Sequence, residues 1–278
     1  MSMSANNTVT VDGLSIPLLG FGTWQLKGND ARRMVGEALR MGYRHIDTAF
    51  IYENETEVGQ GIKDSGVARE DFHLTTKIWV TNLTRDALLR QAEESAERLG
   101  STPDLLLLHW PKPQPDLAET IAALNEAKDK GLTRAIGLSN YPSALWQQAK
   151  DLSPAKLVTN QVEYHPLLTI NALKTKAKEL GSSLTAWSPL ARGKVLNEPV
   201  ITEIAKKYDK TAGQVTLRWI TQQGIIAIPK TASAERAREN FDIFDFALTE
   251  DEVARIAGLA NGFRVGDHLD PAFQWDAD

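Results

Sequence analysis

The chain has 278 residues, 42% of them hydrophobic and 24% charged, with a formal net charge of −5 and no cysteine. That is the composition of an ordinary globular protein long enough to bury a core unaided, and the missing thiols exclude disulfides, thiolate nucleophiles and cysteine-ligated zinc. The acidic balance argues against a nucleic-acid or anionic-membrane surface, so any anion must be met by a local cluster of cations. Residues 1–8 carry neither a basic nor an apolar block of the kind a secretory signal needs, and no apolar run approaches the ~20 residues of a membrane helix. The expected location is the cytoplasm.

In chain order, Thr8-Val9-Thr10-Val11, Asp12-Gly13 and Leu14-Ser15-Ile16-Pro17 read as a small hairpin, Asp-Gly being a strong two-residue turn signal. Strand patterns then recur at residues 18–21, 44–47, 72–77, 105–109, 134–139, 157–162, 183–188 and 225–229, which makes eight. Helical patterns lie between them. Asp30 is placed to cap a helix that Gly42 ends, and Asp116 with Glu119 has capping-box spacing before a helix that runs to Lys130-Gly131. Thr169 or Asn171 opens another, and residues 198–208, 211–222 and 249–259 complete the set. Residues 261–278 have no periodicity and read as a tail or loop over a barrel end.

Several of these strands are apolar throughout, as expected of parallel strands buried on both faces. Eight βα units in one chain, 1–278, point to a single-domain α/β (β/α)8 TIM barrel with an N-terminal hairpin. The alternative, an open doubly wound sheet, would carry Gly-x-Gly-x-x-Gly after its first strand, a pattern that Gly20-Phe21-Gly22-Thr23-Trp24 does not fit.

A barrel of this kind builds its active site at the C-terminal ends of its strands. Asp47, Lys77 and His109 end three successive strands, and Tyr52 lies just beyond the first. Each alone has an ordinary reading: a cap, a rim lysine, a core histidine, a surface aromatic. Together they form a proton-delivery set. A phenol is too weak an acid to protonate an alkoxide unaided, an adjacent ammonium is expected to lower its pKa, and an aspartate holds that ammonium. A neutral imidazole orients a carbonyl oxygen. Such a set supplies no reducing equivalent, so a cofactor must bring the hydride.

These residues stand in the motifs Gly20-Phe21-Gly22-Thr23-Trp24, Gly42-Tyr43-Arg44-His45-Ile46-Asp47-Thr48-Ala49, Leu107-Leu108-His109-Trp110-Pro111, Ile136-Gly137-Leu138-Ser139-Asn140, Asn160-Gln161-Val162-Glu163-Tyr164-His165-Pro166 and Ile228-Pro229-Lys230-Thr231. Over essentially its whole length the chain resembles the aldo-keto reductases, NADPH-dependent carbonyl reductases on this barrel, and within them the bacterial 2,5-diketo-D-gluconate reductase group. The resemblance implies Tyr52 as proton donor, Lys77 and Asp47 as its tuning pair and His109 as the orienting residue. It implies cofactor contacts from Gly22, Thr23, Trp24, Ser139, Asn140, Gln161, Trp187 and Ser188, with Trp187 stacking on the nicotinamide where relatives carry Tyr or Phe. Lys230, Thr231 and Arg236 resemble the grip on a 2′-phosphate, and Glu239 and Asn240 resemble adenine contacts. Trp24, Phe50, Trp79 and Trp110 are implied as substrate walls, with the tail near Phe273 and Trp275.

Two positions depart from the pattern. Glu53 stands where the family often has Gly, which implies an altered loop, and Ala232 and Ser233 replace a further basic residue, which leaves NADH as a weaker alternative cofactor. Glu163 and His165 lack a third ligand, so no metal is expected. The implied partner is a small carbonyl substrate and the implied state a monomer. Two other functions are open to the same barrel: a cofactor-binding regulatory subunit, against which the intact quartet argues, and a lyase with Lys77 as Schiff-base lysine, which would leave the cofactor-like residues of strands five to eight without a role.

Overall fold

The computed structural model describes residues 7–266 and 274–276. The hairpin forms from β1 (Thr8–Val11) and β2 (Leu14–Pro17), paired antiparallel through Asp12 and Gly13, both at positive φ as a two-residue hairpin turn requires. Eight parallel strands follow in sequential order: β3 (Phe21–Gly22), β4 (His45–Asp47), β5 (His73–Ile78), β6 (Leu105–Leu108), β7 (Ala135–Ser139), β8 (Leu157–Glu163), β9 (Ser183–Trp187) and β10 (Ile226–Ala227). The sheet closes on itself where the Gly20 amide donates to Ala227 O at 2.8 Å and the Ala227 amide to Leu18 O at 2.8 Å. The fold is the (β/α)8 barrel read from the strand spacing.

Two apolar layers explain why its strands do not alternate. In β6, Leu106 and Leu108 join the core between barrel and helices, whereas Leu105 and Leu107 face inward. The inward pair clusters with Val158 of β8, Ile226 of β10, Ile228 just after it, and Val11 and Ile16 of the hairpin, so the hairpin plugs the N-terminal end of the barrel.

The helices are α1 (Gly28–Met41), α2 (Glu55–Ser65), α3 (Arg85–Leu99), α4 (Leu117–Asp129), α5 (Ser143–Leu152), α6 (Asn171–Leu180), α7 (Pro199–Lys207), α8 (Ala212–Gln222), α9 (Ala234–Phe241) and α10 (Glu250–Ala257). Their caps differ in part from the sequence reading. Lys27, not Asp30, precedes α1; Asp30 lies in its first turn, where it pairs with Arg33 at 3.1 Å and its charge suits the helix dipole. Asp116 occupies the N-cap of α4 without a side-chain cap bond, its exposed helix end being open to water. Capping boxes form instead at Thr211 with Gln214 and at Thr249 with Glu252. Ile170 precedes α6, and Asn171 is its first residue. Of the C-terminal stretch, Val265 and Gly266 bond to Glu163 and Asp276 accepts from the Ser143 amide at the start of α5, which ties the tail to the rim where the strands end. Phe273 lies outside the described residues.

Above the apolar plug the interior turns polar. His45 and His73 meet edge to face, ring centres 4.8 Å apart, and both Nε2 atoms lie within 3.2 Å of Thr75 Oγ1. Burial pushes the His45 pKa down to about 4, against the pull of the nearby Asp47 charge, and pushes His73 well below its ordinary value. Both rings are therefore neutral in the folded chain. Between about pH 6.5 and about pH 4 the unfolded chain binds protons that the folded one refuses, so stability falls as pH falls, by about 1.4 kcal/mol per unit for each ring. Urea unfolding at about pH 7 and about pH 5 should show a loss of roughly 2 kcal/mol or more on acidification. An unchanged midpoint would show that the pair takes up protons in place.

Candidate active site

One more layer up, the polar interior becomes a site. Inward-facing Asp47, Lys77 and Gln161 come from β4, β5 and β8, and the carboxylate of Asp47 is the centre of the layer. Its Oδ1 accepts from Lys77 Nζ at 2.6 Å and its Oδ2 from Gln161 Nε2 at 2.7 Å. Lys77 Nζ also donates to Thr48 O at 2.7 Å and lies 5.1 Å from the centre of the Tyr52 ring. Both charged side chains are sealed from solvent. Their attraction and hydrogen bonding outweigh the burial that would lower the lysine, and its pKa stands above the ordinary value.

Tyr52 ends a 3₁₀ turn (Phe50–Tyr52) that continues from β4. The Glu53 that follows has φ 53° and ψ 38°, the left-handed conformation that glycine favours. Glu53 thus holds, as a non-glycine residue, a backbone conformation that glycine adopts at less cost. Behind the turn, buried Asn54 accepts from Thr48 Oγ1 and donates to the carbonyls of Thr23 and Leu26, joining this loop to the one after β3. Lys27 Nζ donates to Tyr52 O at 2.7 Å.

The phenol itself departs from the sequence expectation. Burial raises its pKa, the Lys77 ammonium pulls it back down, Asp47 raises it again, and the balance is upward. Desolvation of a phenolate outweighs one neighbouring cation that is already neutralised by Asp47. Tyr52 is therefore a neutral phenol throughout the neutral range, with a cation behind it ready for the charge left when the proton departs. His109 packs edge to face on Tyr52 at 5.7 Å and on Trp79 at 5.2 Å between ring centres. Burial holds its pKa well below the ordinary histidine value, aided by the Lys77 charge, so the ring is neutral. Its Nδ1 is buried without a partner, leaving Nε2 as the nitrogen that can meet a carbonyl oxygen.

These groups line or underlie a cavity of about 490 Å³. Gly22, Thr23, Trp24, Asp47, Tyr52, Trp79, His109, Asn140, Gln161, Trp187, Ser188 and Lys230 all contribute to its wall. Lys77 sits behind the wall. Ser139 is buried beneath it, its Oγ donating to Gln161 O. Phe50 turns away to meet Arg98, and Trp110 packs on Trp275 of the tail, so neither forms part of the wall. Of the Phe50-Ile51 loop expected at the substrate side, Ile51 is the residue that lines the cavity. The sequence reading also missed Gln25, Leu190 and Arg192. Arg192 lies 5.0 Å above the ring of Trp24, in a stretch where Ala191, Arg192 and Gly193 all have positive φ; its proximity to Trp187 in sequence is the signal that could have found it.

Along one side the wall has the features of a nucleotide groove. Trp187 presents an indole whose Nε1 donates to Asn140 Oδ1 at 2.8 Å, and Asn140 Nδ2 in turn donates to His109 O. At Gly22 a Cβ would come within 2.9 Å of Ile228 O, so only a bare backbone fits at this seam. At the far end Lys230 and Arg236 are exposed and make no ion pair with any described residue. They flank the start of α9, where Ser233 caps the helix and the helix dipole favours an anion. Two unneutralised cations at a helix start suit a phosphate, and an acidic protein needs such a local cluster to hold one. Thr231 lies buried beside them; Glu239 accepts from Thr211 Oγ1, and Asn240 is buried in α9.

Comparison with known proteins agrees with the geometry. Residues 18–261 match the model of the aldo/keto reductase family. The chain belongs to that family. It is 41% identical over 273 residues to the glyoxal reductase of Bacillus subtilis, a match covering 97% of this chain and 99% of that one. A crystal structure of a putative 2,5-diketo-D-gluconic acid reductase B superposes with a TM-score of 0.94 at 46% identity, covering 98% of both chains. The Bombyx mori aldo-keto reductase in complex with NADP superposes with a TM-score of 0.87 at 34% identity over 95% of this chain and 96% of that one. As a member of the aldo/keto reductase family the chain is an oxidoreductase. The Glu163–His165 pair has its own task in it: Glu163 accepts from His165 Nε2 and from the amides of Val265 and Gly266, and among the described residues no cluster of metal-binding side chains is found.

Proposed function

We propose that this chain reduces a small aldehyde or ketone, of the methylglyoxal, keto-sugar-acid or ketoester type, to the alcohol with NADPH. The observation that carries the reading is the shared cavity of Tyr52 and His109, with the Lys77–Asp47 pair sealed behind the phenol. NADPH, when bound, supplies the hydride for the carbonyl carbon. The chain does the rest. His109, kept neutral, donates from Nε2 to the carbonyl oxygen and sets its direction. Tyr52 gives its proton to that oxygen as the carbon takes the hydride, and Lys77 stabilises the phenolate until solvent restores the proton. Lys230, Thr231 and Arg236 hold the 2′-phosphate; Asn140, Gln161 and Trp187 hold the nicotinamide end. Trp24, Ile51 and Trp79 offer apolar walls that suit a small carbonyl compound.

The names of relatives support this substrate range, glyoxal reductase and 2,5-diketo-D-gluconic acid reductase both denoting small carbonyl substrates. A Schiff-base role for Lys77 is disfavoured by its surroundings. An amine nucleophile needs a lowered pKa, whereas Asp47 and the Thr48 carbonyl hold this one protonated.

The experiment is the loss of NADPH absorbance, with NADH in parallel, on methylglyoxal, an aromatic aldehyde, an α-ketoester and a diketo sugar acid. Turnover with NADPH on at least one of them is expected, with NADH slower. Tight NADPH binding without turnover on a wider panel would move the assignment to a regulatory subunit. Failure of both nucleotides to bind would remove the roles given to Lys230 and Arg236.

A further inference from the structure

We infer that residues 263–266 of the C-terminal segment form a backstop for the Trp187 indole, fastened by Glu163, and so set the affinity for the nicotinamide end of the cofactor. The inference rests on the reading of Trp187 as the nicotinamide platform.

Trp187 ends β9 beside Glu163, its register partner on β8. One edge of the indole is fixed by the 2.8 Å bond from Nε1 to Asn140 Oδ1. The ring also packs against the inner apolar cluster of the barrel. Farther along the same edge, on the six-membered ring, the indole is met by Gly266: a Cβ there would lie 2.9 Å from Trp187 Cη2, 3.5 Å from Cζ2 and 3.0 Å from Glu163 Oε2. The φ of Gly266 lies outside the left-handed range, so glycine is required here by space and not by backbone conformation. Contact between a bare backbone and the six-membered ring gives the indole a further point of restraint beside the hydrogen bond.

The backstop needs its own anchor, since chain ends fray unless tied down. Glu163 supplies it. Its carboxylate is fully buried and accepts from Val265 N at 2.5 Å, Gly266 N at 3.1 Å and His165 Nε2 at 2.9 Å. Phe263 packs on the His165 ring at 6.0 Å, which places the preceding turn of the segment on the same support. A buried carboxylate that satisfies consecutive backbone amides holds a segment in register more firmly than an apolar contact, because releasing either amide takes a hydrogen bond from a buried carboxylate and leaves its lone pairs short of a donor. Glu163 and Gly266 are thus positioning residues, acting on cofactor through Trp187.

Gly266→Ala and Glu163→Gln test this by different means. The first pushes the indole with a methyl group; the second turns an acceptor into an amide donor facing an amide donor, and frees the segment. In each, the indole Nε1 proton resonance of Trp187, assigned by its loss in Trp187→Phe, should shift or broaden in the protein without nucleotide. NADPH should bind about tenfold more weakly in each, while adenosine 2′,5′-bisphosphate, which lacks the nicotinamide, should bind within about twofold of wild type. An unmoved Trp187 resonance in both variants would overturn the inference, as would an equal loss of affinity for the two ligands. If the wild-type protein bound neither ligand, the cofactor reading would fail, and the resonance alone would decide whether the segment holds the indole.

Discussion

Tyr52→Phe should lower kcat for carbonyl reduction by about 10³-fold while NADPH binding stays within about twofold. The substitution removes one oxygen and leaves the ring, so the edge-to-face contact with His109 and the Lys77 cation over the ring are both retained. On the proposed mechanism, what is lost is the proton donor of the step. His109 is neutral and offers an N–H, but its conjugate anion is far less accessible than a phenolate facing an ammonium. The raised pKa of Tyr52 adds a pH signature. Reduction requires the protonated phenol, so its rate should be level through the neutral range and fall only on the alkaline side, above the ordinary phenol value of about 10. Steady-state kinetics of the variant and a pH profile of the wild type check both points. A variant that keeps a tenth or more of its turnover would remove Tyr52 from the role.

The strand ends were readable in the sequence because a barrel converts position along the chain into position around a ring. Asp47, Lys77 and His109 each stand at or next to the end of a strand pattern, and a register fixed by alternating inward and outward side chains leaves them little choice of direction. The hairpin was readable from Asp12-Gly13 for an equally local reason. What the sequence could not supply are contacts decided by closure. Gln161 lies 114 residues from Asp47, and its bond to that carboxylate exists because β8 faces β4 across the barrel. The amide thus has work beyond the nicotinamide contact that resemblance implied.

Other differences have equally specific causes. The pKa of Tyr52 depends on how completely the loop after β4 buries it, which no spacing encodes. Ile51 and not Phe50 lines the cavity because a 3₁₀ turn, with three residues per turn, sends successive side chains about 120° apart, one to Arg98 and the next to the cavity. Arg192 escaped notice because its approach to Trp24 requires a run of left-handed residues that its sequence, apart from Gly193, does not announce. The pairing of Glu163 with His165 looked like an incomplete metal site because its remaining partners are backbone amides, which carry no sequence signal.

The second large effect concerns Lys77, where stability and catalysis can be separated. Lys77→Met leaves the Asp47 carboxylate buried with the Gln161 amide as its remaining side-chain partner, and breaking a buried pair in this way costs about 3–5 kcal/mol. For a chain of this length that corresponds to a fall in Tm of about 10 °C. Turnover should fall by about 10³-fold, since the phenolate left by proton transfer then has no cation in a desolvated site. Adding Asp47→Asn removes the orphaned charge, keeps an acceptor for Gln161, and should recover more than half of the lost stability, because an incompletely bonded buried amide costs far less than an unpaired buried charge. It should recover none of the turnover. Thermal unfolding and kinetics of the single and double variants make the comparison. A Lys77→Met variant of wild-type stability would show that the pair is not buried as described. If the double variant regained activity along with its stability, the loss in the single variant would be one of folding, and the ammonium behind Tyr52 would have no part in the chemistry.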